Sequence, residues 1–167
     1  KPIFDKLYNV KISLRDMPST RVFGFQIWNN DIVKFKQKLG LPLGKKFELQ
    51  IPEEFTKDKQ PLCACVRGLF DTDGCLYLEP KNKKLYPRLQ ITTISLKLAE
   101  QLVSVLDSLE LRATKWRYQS LKGNRLPNWK IEIRGIEMLH KFMQEIQPKN
   151  QKHIAKYNRF LQSIPKT

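Results

Sequence analysis

Histidine and cysteine are scarce in this 167-residue sequence, which has the two histidines His140 and His153 and the three cysteines Cys63, Cys65 and Cys75. A structural zinc site needs four such ligands in paired spacings, and no second pair is present. The odd number of cysteines also argues against a disulfide framework. We therefore interpret Cys63 and Cys65 as small buried apolar residues on a helix.

Long apolar runs are also missing from the sequence. No stretch approaches the roughly 18 unbroken apolar residues of a membrane-spanning helix. The segment Lys1–Asp5 lacks the apolar run of a secretory signal. We therefore expect no membrane partner and an intracellular location, in the cytoplasm, a nucleoid or an organelle matrix. Because 41% of the residues are hydrophobic and 10% aromatic, the composition is that of a globular protein and not of a disordered tail.

Acidic residues are few compared with basic residues. Sixteen Asp and Glu face 31 Lys and Arg, which gives a formal net charge of +15. A folded domain this basic repels itself, so the excess charge indicates a polyanionic partner. Membrane-surface binding is disfavoured because no single amphipathic helix collects the basic residues. Nucleic acid is the favoured partner, and a basic structural protein such as a ribosomal one stays open as an alternative.

The first part of the chain reads as strand, strand and helix. We predict strands over Tyr8–Leu14 and Arg21–Trp28, a helix that Asp31 caps and Gly40 ends, and a connector over residues 41–60.

The rest of the chain alternates helices and strand pairs. The predicted elements are, in order, a helix over Leu62–Phe70, strands over Cys75–Glu79 and Leu85–Thr93, a helix over Ser95–Leu109, strands over Thr114–Ser120 and Trp129–Arg134, and helices over Glu137–Ile146 and Lys152–Ile164.

The order of elements from Tyr8 to Gly40 is similar to the order from Leu111 to Gln147. This similarity suggests one and a half copies of an αββαββα unit, with the first copy missing its leading helix and hairpin. We therefore divide the chain into a partial first repeat, residues 1–58, and a complete repeat with C-terminal helices, residues 59–167.

The stretch Val66-Arg67-Gly68-Leu69-Phe70-Asp71-Thr72-Asp73-Gly74 resembles the signature of the LAGLIDADG homing endonucleases. Gly68, Leu69, Asp71, Asp73 and Gly74 match the consensus, whereas Val66-Arg67 replaces its Leu-Ala. The elements that follow the motif keep the family's order, and residues 149–153 resemble its late basic segment. An apolar helix that ends in this motif before a basic antiparallel sheet is far more specific than a lone D-x-D-G.

The resemblance implies an α+β fold, the LAGLIDADG homing-endonuclease fold αββαββα, with a saddle-shaped antiparallel sheet, helices on one face and a partial ββα repeat before it. It implies a sequence-specific double-stranded DNA endonuclease of the intron-homing type that makes staggered cuts with Mg²⁺ or Mn²⁺. Asp73 and the carbonyl of Thr72 would hold the metal. Thr93, Lys130 and Arg134 would lie near the scissile phosphate as further catalytic residues.

The residues of the motif helix support this interpretation. Ala64 and Gly68 lie four residues apart, so a second helix can approach closely. Two such helices would bring two Asp73 carboxylates together, and Mg²⁺ binds through one or two carboxylates plus phosphate and water. One chain has one motif, so we expect a homodimer or a complementary half as partner. Asp71, at the same helix interface, is expected to close the helix end by bonding local backbone N–H groups.

Strand alternation predicts a polar DNA-binding face opposite an apolar face that packs on the helices. The apolar set includes Trp116, Trp129, Ile131 and Ile133. The predicted DNA-binding residues are Tyr77, Glu79, Lys81, Lys83, Lys84, Tyr86, Arg88, Gln90, Thr92, Lys115, Arg117, Gln119, Lys130, Glu132 and Arg134.

A second function stays open on the same fold. The family includes proteins that bind DNA or RNA without cutting it, such as maturases and regulators. The acid at Asp73 favours cleavage.

Overall fold

A computed structural model describes residues 2–19, 21–44, 46–81, 84–119 and 126–164, and it divides into two compact units, Lys1–Gly40 and Leu41–Thr167. The connector predicted over residues 41–60 belongs to the second compact unit. The reason is hydrogen bonding. The Gln101 side chain bonds both the N–H and the carbonyl of Ile51, at 2.6 and 3.1 Å, and the Ser95 hydroxyl donates to the carbonyl of Leu49 at 2.6 Å.

The first unit contains two helices and one short hairpin. Its elements are α1 (Pro2–Tyr8), β1 (Arg15–Met17), β2 (Val22–Gly24) and α2 (Asn30–Lys38).

The first strand predicted for the first unit is wrong in position. The second is right in position but too long, because β2 spans only Val22–Gly24 of the predicted Arg21–Trp28. Tyr8 belongs to a helix, and β1 occupies the predicted loop. The aromatic residues form a cluster instead of a strand face, because the Tyr8 ring packs on Phe4 at 4.7 Å and on Phe35 at 6.0 Å. The cap of α2 also differs from the prediction. Asn29, and not Asp31, is the N-cap, since its side-chain oxygen accepts from two backbone N–H groups of the first turn.

The second unit has the element order αββαββα, followed by one more helix, as the sequence predicts. Two short 3-10 helices, Lys46–Glu48 and Glu53–Phe55, precede it. The elements are α3 (Lys59–Asp73), β3 (Gly74–Lys81), β4 (Lys84–Thr93), α4 (Leu96–Ser108), β5 (Ala113–Tyr118), β6 (Asn128–Arg134), α5 (Ile136–Glu145) and α6 (Gln151–Ser163). No described helix combines the length and the apolar character needed to cross a membrane.

The four strands of the second unit form one antiparallel sheet in the order β3-β4-β6-β5. Its inner face packs against α3, α4, α5 and α6. The buried side chains of that face are Leu76, Leu89, Ile91, Ile131 and Ile133. Because directly opposed residues share a face, the register assigns every strand residue to the inner or the outer face.

The register of β5 reverses the facing predicted for that strand. Lys115 is opposite Ile131 and Arg117 is opposite Trp129, so both cations lie on the inner face. The ion pair of Lys115 with Glu100 of α4, at 2.7 Å, confirms this side. Trp116 was predicted to face inward, but it is opposite Lys130 and lies on the outer face.

Candidate active site and nucleic-acid interface

Helix α3 positions the motif because its buried residues recur at helical spacing. Leu62, Val66 and Phe70 lie four residues apart and are buried. Phe70 packs its ring on Phe142 at 4.8 Å. Gly74 follows the helix directly, and a Cβ there would lie 2.8 Å from the Cα of Phe70 and closer still to its carbonyl oxygen and ring. Glycine is therefore required where the chain turns from helix into strand.

Two other motif residues tie α3 to the C-terminal helices. The Asp71 carboxylate accepts hydrogen bonds from the backbone N–H groups of Lys149 and Asn150, at 2.9 and 3.1 Å. The Asn150 side chain in turn donates to the Asp71 carbonyl at 2.8 Å. These N–H groups are distant in sequence, whereas the prediction was of local ones. Arg67 donates to the carbonyl of Ile146 at 2.6 Å, and so satisfies a carbonyl at the end of α5.

Asp73 is the last residue of α3, and its side chain is exposed. Among the described residues its hydrogen-bond partner is the Thr72 hydroxyl, at 3.2 Å from Oδ2, and no Lys or Arg pairs with it. That hydroxyl also lies 3.0 Å from the carbonyl of Gly68. The carboxylate is therefore available to a ligand, and the final carbonyls of the helix, including that of Thr72, have no helical N–H to accept from.

Asp73 lines a cleft of about 300 Å³ between the end of α3 and the ends of β4 and β6. The polar residues of its wall are Lys46, Asp73, Thr92, Thr93 and Asn128. The structure thus brings together two residues predicted for catalysis, Asp73 and Thr93. Asn128 adds a buried side-chain oxygen to which no described residue donates a hydrogen bond.

The other two residues predicted for catalysis lie outside this cleft. Lys130 is on the outer face, with Nζ 4.9 Å from the Trp116 ring centroid and 4.3 Å from that of Tyr118. Arg134 is at the far end of β6, opposite Arg88. Across the sheet, Gly74 is aligned with Ile91 and Ile131. Arg134 is three residues beyond Ile131, which is about 10 Å along the strand. The structure does not bring Arg134 to Asp73.

The centre of the outer face is a buried carboxylate beneath two arginines. Glu132 is 2% exposed. It forms ion pairs with Arg134 and, at 3.7 Å, with Arg88, and it accepts a hydrogen bond from Gln90 at 3.3 Å. Arg88 also pairs with Glu79 at 3.1 Å. The Glu132 carboxylate is therefore covered by its neighbours on the outer face, and it binds the more exposed side chains of Arg88 and Arg134.

The remaining residues predicted to bind DNA divide into two groups. The register places on the outer face Tyr77, Glu79, Lys81, Lys84, Tyr86, Arg88, Gln90, Thr92, Lys130, Glu132 and Arg134. Lys115 and Arg117 lie on the inner face, Gln119 follows the last residue of β5, and Lys83 is outside the described residues.

A stripe of small residues on α3 is exposed. Ala64 and Gly68 both face solvent, and a Cβ added at Gly68 would meet nothing within 4 Å. The space beside Gly68 is what a second helix would need in order to approach.

Two kinds of buried titratable group lie near the site. Burial raises the pKa of the Cys63 and Cys65 thiols, which therefore stay protonated, as expected of apolar residues. Burial also lowers the pKa of His153, whose side chain is fully buried and whose ring lies 4.4 Å from that of Phe70. His153 is therefore a neutral member of the core.

Sequence reasoning missed five residues of this region: Lys46, Arg67, Asn128, Trp116 and Tyr118. Lys46 and Asn128 belong to no local pattern and reach the cleft only through the fold. Arg67 was visible as the clearest departure from the motif consensus. The two aromatic residues were visible in the period-two pattern of β5, but that pattern does not say which side faces the helices.

The described part of the chain does not supply a complete set of side-chain metal ligands. Within the described ranges, no three His, Cys, Asp or Glu side chains lie close enough to hold an ion together. An ion at the predicted donors, Asp73 and the Thr72 carbonyl, would need phosphate, water or a second chain to complete its ligands.

The architecture defines an αββαββα domain with a polar, cation-rich sheet face and an acidic residue at the end of its first helix. A model of the LAGLIDADG-like domain matches residues 60–147, just over half of the chain. The chain belongs to the LAGLIDADG-like domain family. The solved structures that match include the crystal structure of the LAGLIDADG meganuclease I-AabMI bound to uncleaved DNA, with 18% identity and a TM-score of 0.41. The match covers 60% of this chain and 35% of that one, so the chain spans about a third of its length. No curated protein matched the chain.

Proposed function

We propose that this protein is a sequence-specific double-stranded DNA endonuclease of the homing type, which hydrolyses phosphodiester bonds with a divalent metal ion. The observation that carries the proposal is the position of Asp73. Its carboxylate ends the motif helix, has no cationic partner among the described residues, and lines a cleft with Lys46 and Thr93. Asp71 is occupied by two backbone N–H groups, whereas Asp73 is exposed and, in the described part of the chain, has only the neighbouring Thr72 hydroxyl, which favours a ligand role for Asp73.

The donor set suits a hard cation. Mg²⁺ and Mn²⁺ prefer oxygen ligands, and Mg²⁺ is usually held by one or two carboxylates together with phosphate oxygens and water. Asp73 and the Thr72 carbonyl would hold the ion, which would polarise the scissile phosphate when bound. Lys46 offers a positive charge that offsets the charge on the phosphate, and Thr93 and Asn128 offer groups that orient water.

Recognition of the duplex is assigned to the outer face of the sheet. Arg88 and Arg134 can donate to guanine edges in a major groove. Gln90 is 8% exposed and donates to Glu132, so it supports the arginines from below. Lys81 and Lys84, at the tip of the β3–β4 hairpin, are suited to phosphate contacts. Lys115 and Arg117 are excluded from this set, because their side chains lie on the inner face.

A double-strand cut requires two sites, and each chain supplies one Asp73. The exposed stripe with Ala64 and Gly68 supports a homodimer, or pairing with a complementary half, through α3. Close packing there would bring two Asp73 residues to one axis, since each follows the stripe on its own helix.

The test is cleavage of a randomised double-stranded DNA library with Mg²⁺ by the wild type, Asp73→Asn and Asp58→Asn. Asp58 is the matched control, because it caps the other end of α3 and its side chain makes no cap hydrogen bond. We expect selective cuts by the wild type and Asp58→Asn, and none by Asp73→Asn. All three should bind DNA and unfold at similar temperatures. Binding by all three without any cut would instead support a maturase-like or regulatory protein that does not cleave.

A further inference from the structure

The outer face of the sheet carries a pair of exposed aromatic side chains at its β5 edge. Trp116 is 39% exposed and Tyr118 is 40% exposed. They are opposite Lys130 and Asn128 of β6, which places them on the polar side of the sheet. The helices pack on the other side, and none of the described elements covers these two rings. Packing among the described residues therefore does not account for their exposure.

A lysine lies against both rings. The Nζ of Lys130 is 4.9 Å from the Trp116 centroid and 4.3 Å from the Tyr118 centroid, and the two rings are 6.0 Å apart at 83°. The cation–π contacts hold the ammonium group beside the rings and restrict its motion. An aromatic surface and a fixed positive charge thus lie within one nucleotide's length of each other.

This combination is that of a site for unpaired bases. In a duplex, neighbouring base pairs cover both faces of every base, so a protein side chain reaches only the base edges. Side chains that read base edges are mainly Arg, Gln and Asn. On this face the arginines are Arg88 of β4 and Arg134 of β6, away from the β5 edge. Trp and Tyr contribute by stacking, which needs an exposed base face, and single-strand binding sites pair such rings with a basic backbone contact.

We propose that Trp116, Tyr118 and Lys130 form a binding site for an unpaired nucleotide segment, with a base stacked on Trp116 or Tyr118 and the phosphate beside Lys130. The site is next to the cleft, because Thr92 and Asn128, the residues opposite Lys130 and Tyr118, line the cleft together with Asp73. An unpaired nucleotide segment bound to these rings therefore lies beside the candidate active site. The proposal rests on nucleic-acid binding by this face and does not need DNA cleavage.

The test is the affinity for a labelled 12-nucleotide oligothymidylate, measured by fluorescence anisotropy beside a 12-base-pair duplex. Trp116→Ala should weaken single-strand binding about tenfold, within a range of about 5- to 150-fold per stacked base. Trp116→Phe should keep most of the affinity, and duplex binding should change far less. Trp28→Ala is the matched control, because Trp28 is 89% exposed and belongs to the other unit. Oligouridylate in place of oligothymidylate distinguishes RNA from DNA as the preferred strand.

Further variants separate stacking from charge and from catalysis. Tyr118→Leu keeps apolar area without a ring, and we expect it to lose single-strand affinity as well. Lys130→Gln should reduce the slope of log affinity against log salt by about 0.7, whereas Trp116→Ala leaves that slope unchanged. Asp73→Asn should bind the single strand as the wild type does. Equal loss in Trp28→Ala, or full affinity in both Trp116→Ala and Tyr118→Leu, would overturn the proposal.

Discussion

The two glycines of the motif should respond in opposite directions to the same added methyl group. Gly68 lies inside α3 with nothing within 4 Å of a Cβ. Alanine is favoured over glycine by about 0.8–1.0 kcal/mol in a helix interior, so Gly68→Ala should raise the free energy of unfolding of the monomer by about that amount. For a chain of this size each kcal/mol moves the Tm by about 2–4 °C.

Gly74→Ala should destabilise the fold instead. The new Cβ would meet the Cα of Phe70 at 2.8 Å, together with its carbonyl oxygen and ring. Backbone atoms cannot rotate away, so the β3 entrance or the core around Phe70 must shift, at a cost of about 1–3 kcal/mol. The expected result is a Tm lower by about 2–12 °C.

The assay is thermal unfolding followed by circular dichroism, at protein concentrations low enough to keep the chain monomeric. The proposed function adds a second expectation. Gly68→Ala should weaken association through α3 and reduce DNA cleavage, although the folded monomer is more stable. If Gly68→Ala lowered the Tm as much as Gly74→Ala, the exposed position of Gly68 in this structure would be refuted.

Three further predictions follow from buried or hydrogen-bonded charges. Asp71→Ala, which removes the acceptor of two backbone N–H groups, should cost about 2 kcal/mol in urea unfolding, with Asp58→Ala as a neutral control. His153 has a folded-state pKa below its ordinary 6.5. Its contribution to stability is therefore complete above about pH 6.5 and falls below that pH by up to about 1.4 kcal/mol per unit. Urea unfolding at pH 7.5 and 5.5 should show this loss in the wild type and a smaller loss in His153→Leu; equal losses would contradict it. Glu132→Gln leaves two arginines without their buried counter-charge, and because both are partly exposed we expect a loss of only about 1–2 kcal/mol. Its DNA selectivity should also relax in a library binding assay, and unchanged selectivity would exclude a role in orienting the arginines.

The sequence predicts the second unit well because its periodicities are strong. Helix α4 repeats apolar residues at helical spacing, and β3 and β4 alternate through Leu76, Leu89 and Ile91. Each of these elements has one apolar side, and burial of that side fixes the orientation of the element in the fold. The first unit is different. Its segment after Tyr8 alternates as a strand would, but the aromatic rings pack on one another and the hairpin is only three residues long on each side.

The facing of β5 illustrates what a single strand cannot reveal. Lys115 and Arg117 alternate with Trp116 and Tyr118, and both sets combine apolar atoms with a polar end. The hydrophobic rule predicts the rings inward, whereas pairing with the strongly apolar Ile131 places the lysine there. The deciding information lies in β6, which is brought alongside only by the fold. For the candidate site the motif indicates Asp73, and Lys46 and Asn128 join it from segments without a motif.

The contacts of Asp71 have a practical consequence for the boundaries of the domain. The family match ends at residue 147, but the N–H groups that Asp71 binds belong to Lys149 and Asn150, and α6 supplies the core residues His153 and Phe160. A chain shortened to the matched region would lose the Asp71 hydrogen bonds at the end of α3 and would expose one side of Phe70. A fusion protein that contains this domain, or two copies of it in tandem, must therefore include α6 as well as the motif. Any linker should start beyond Ser163.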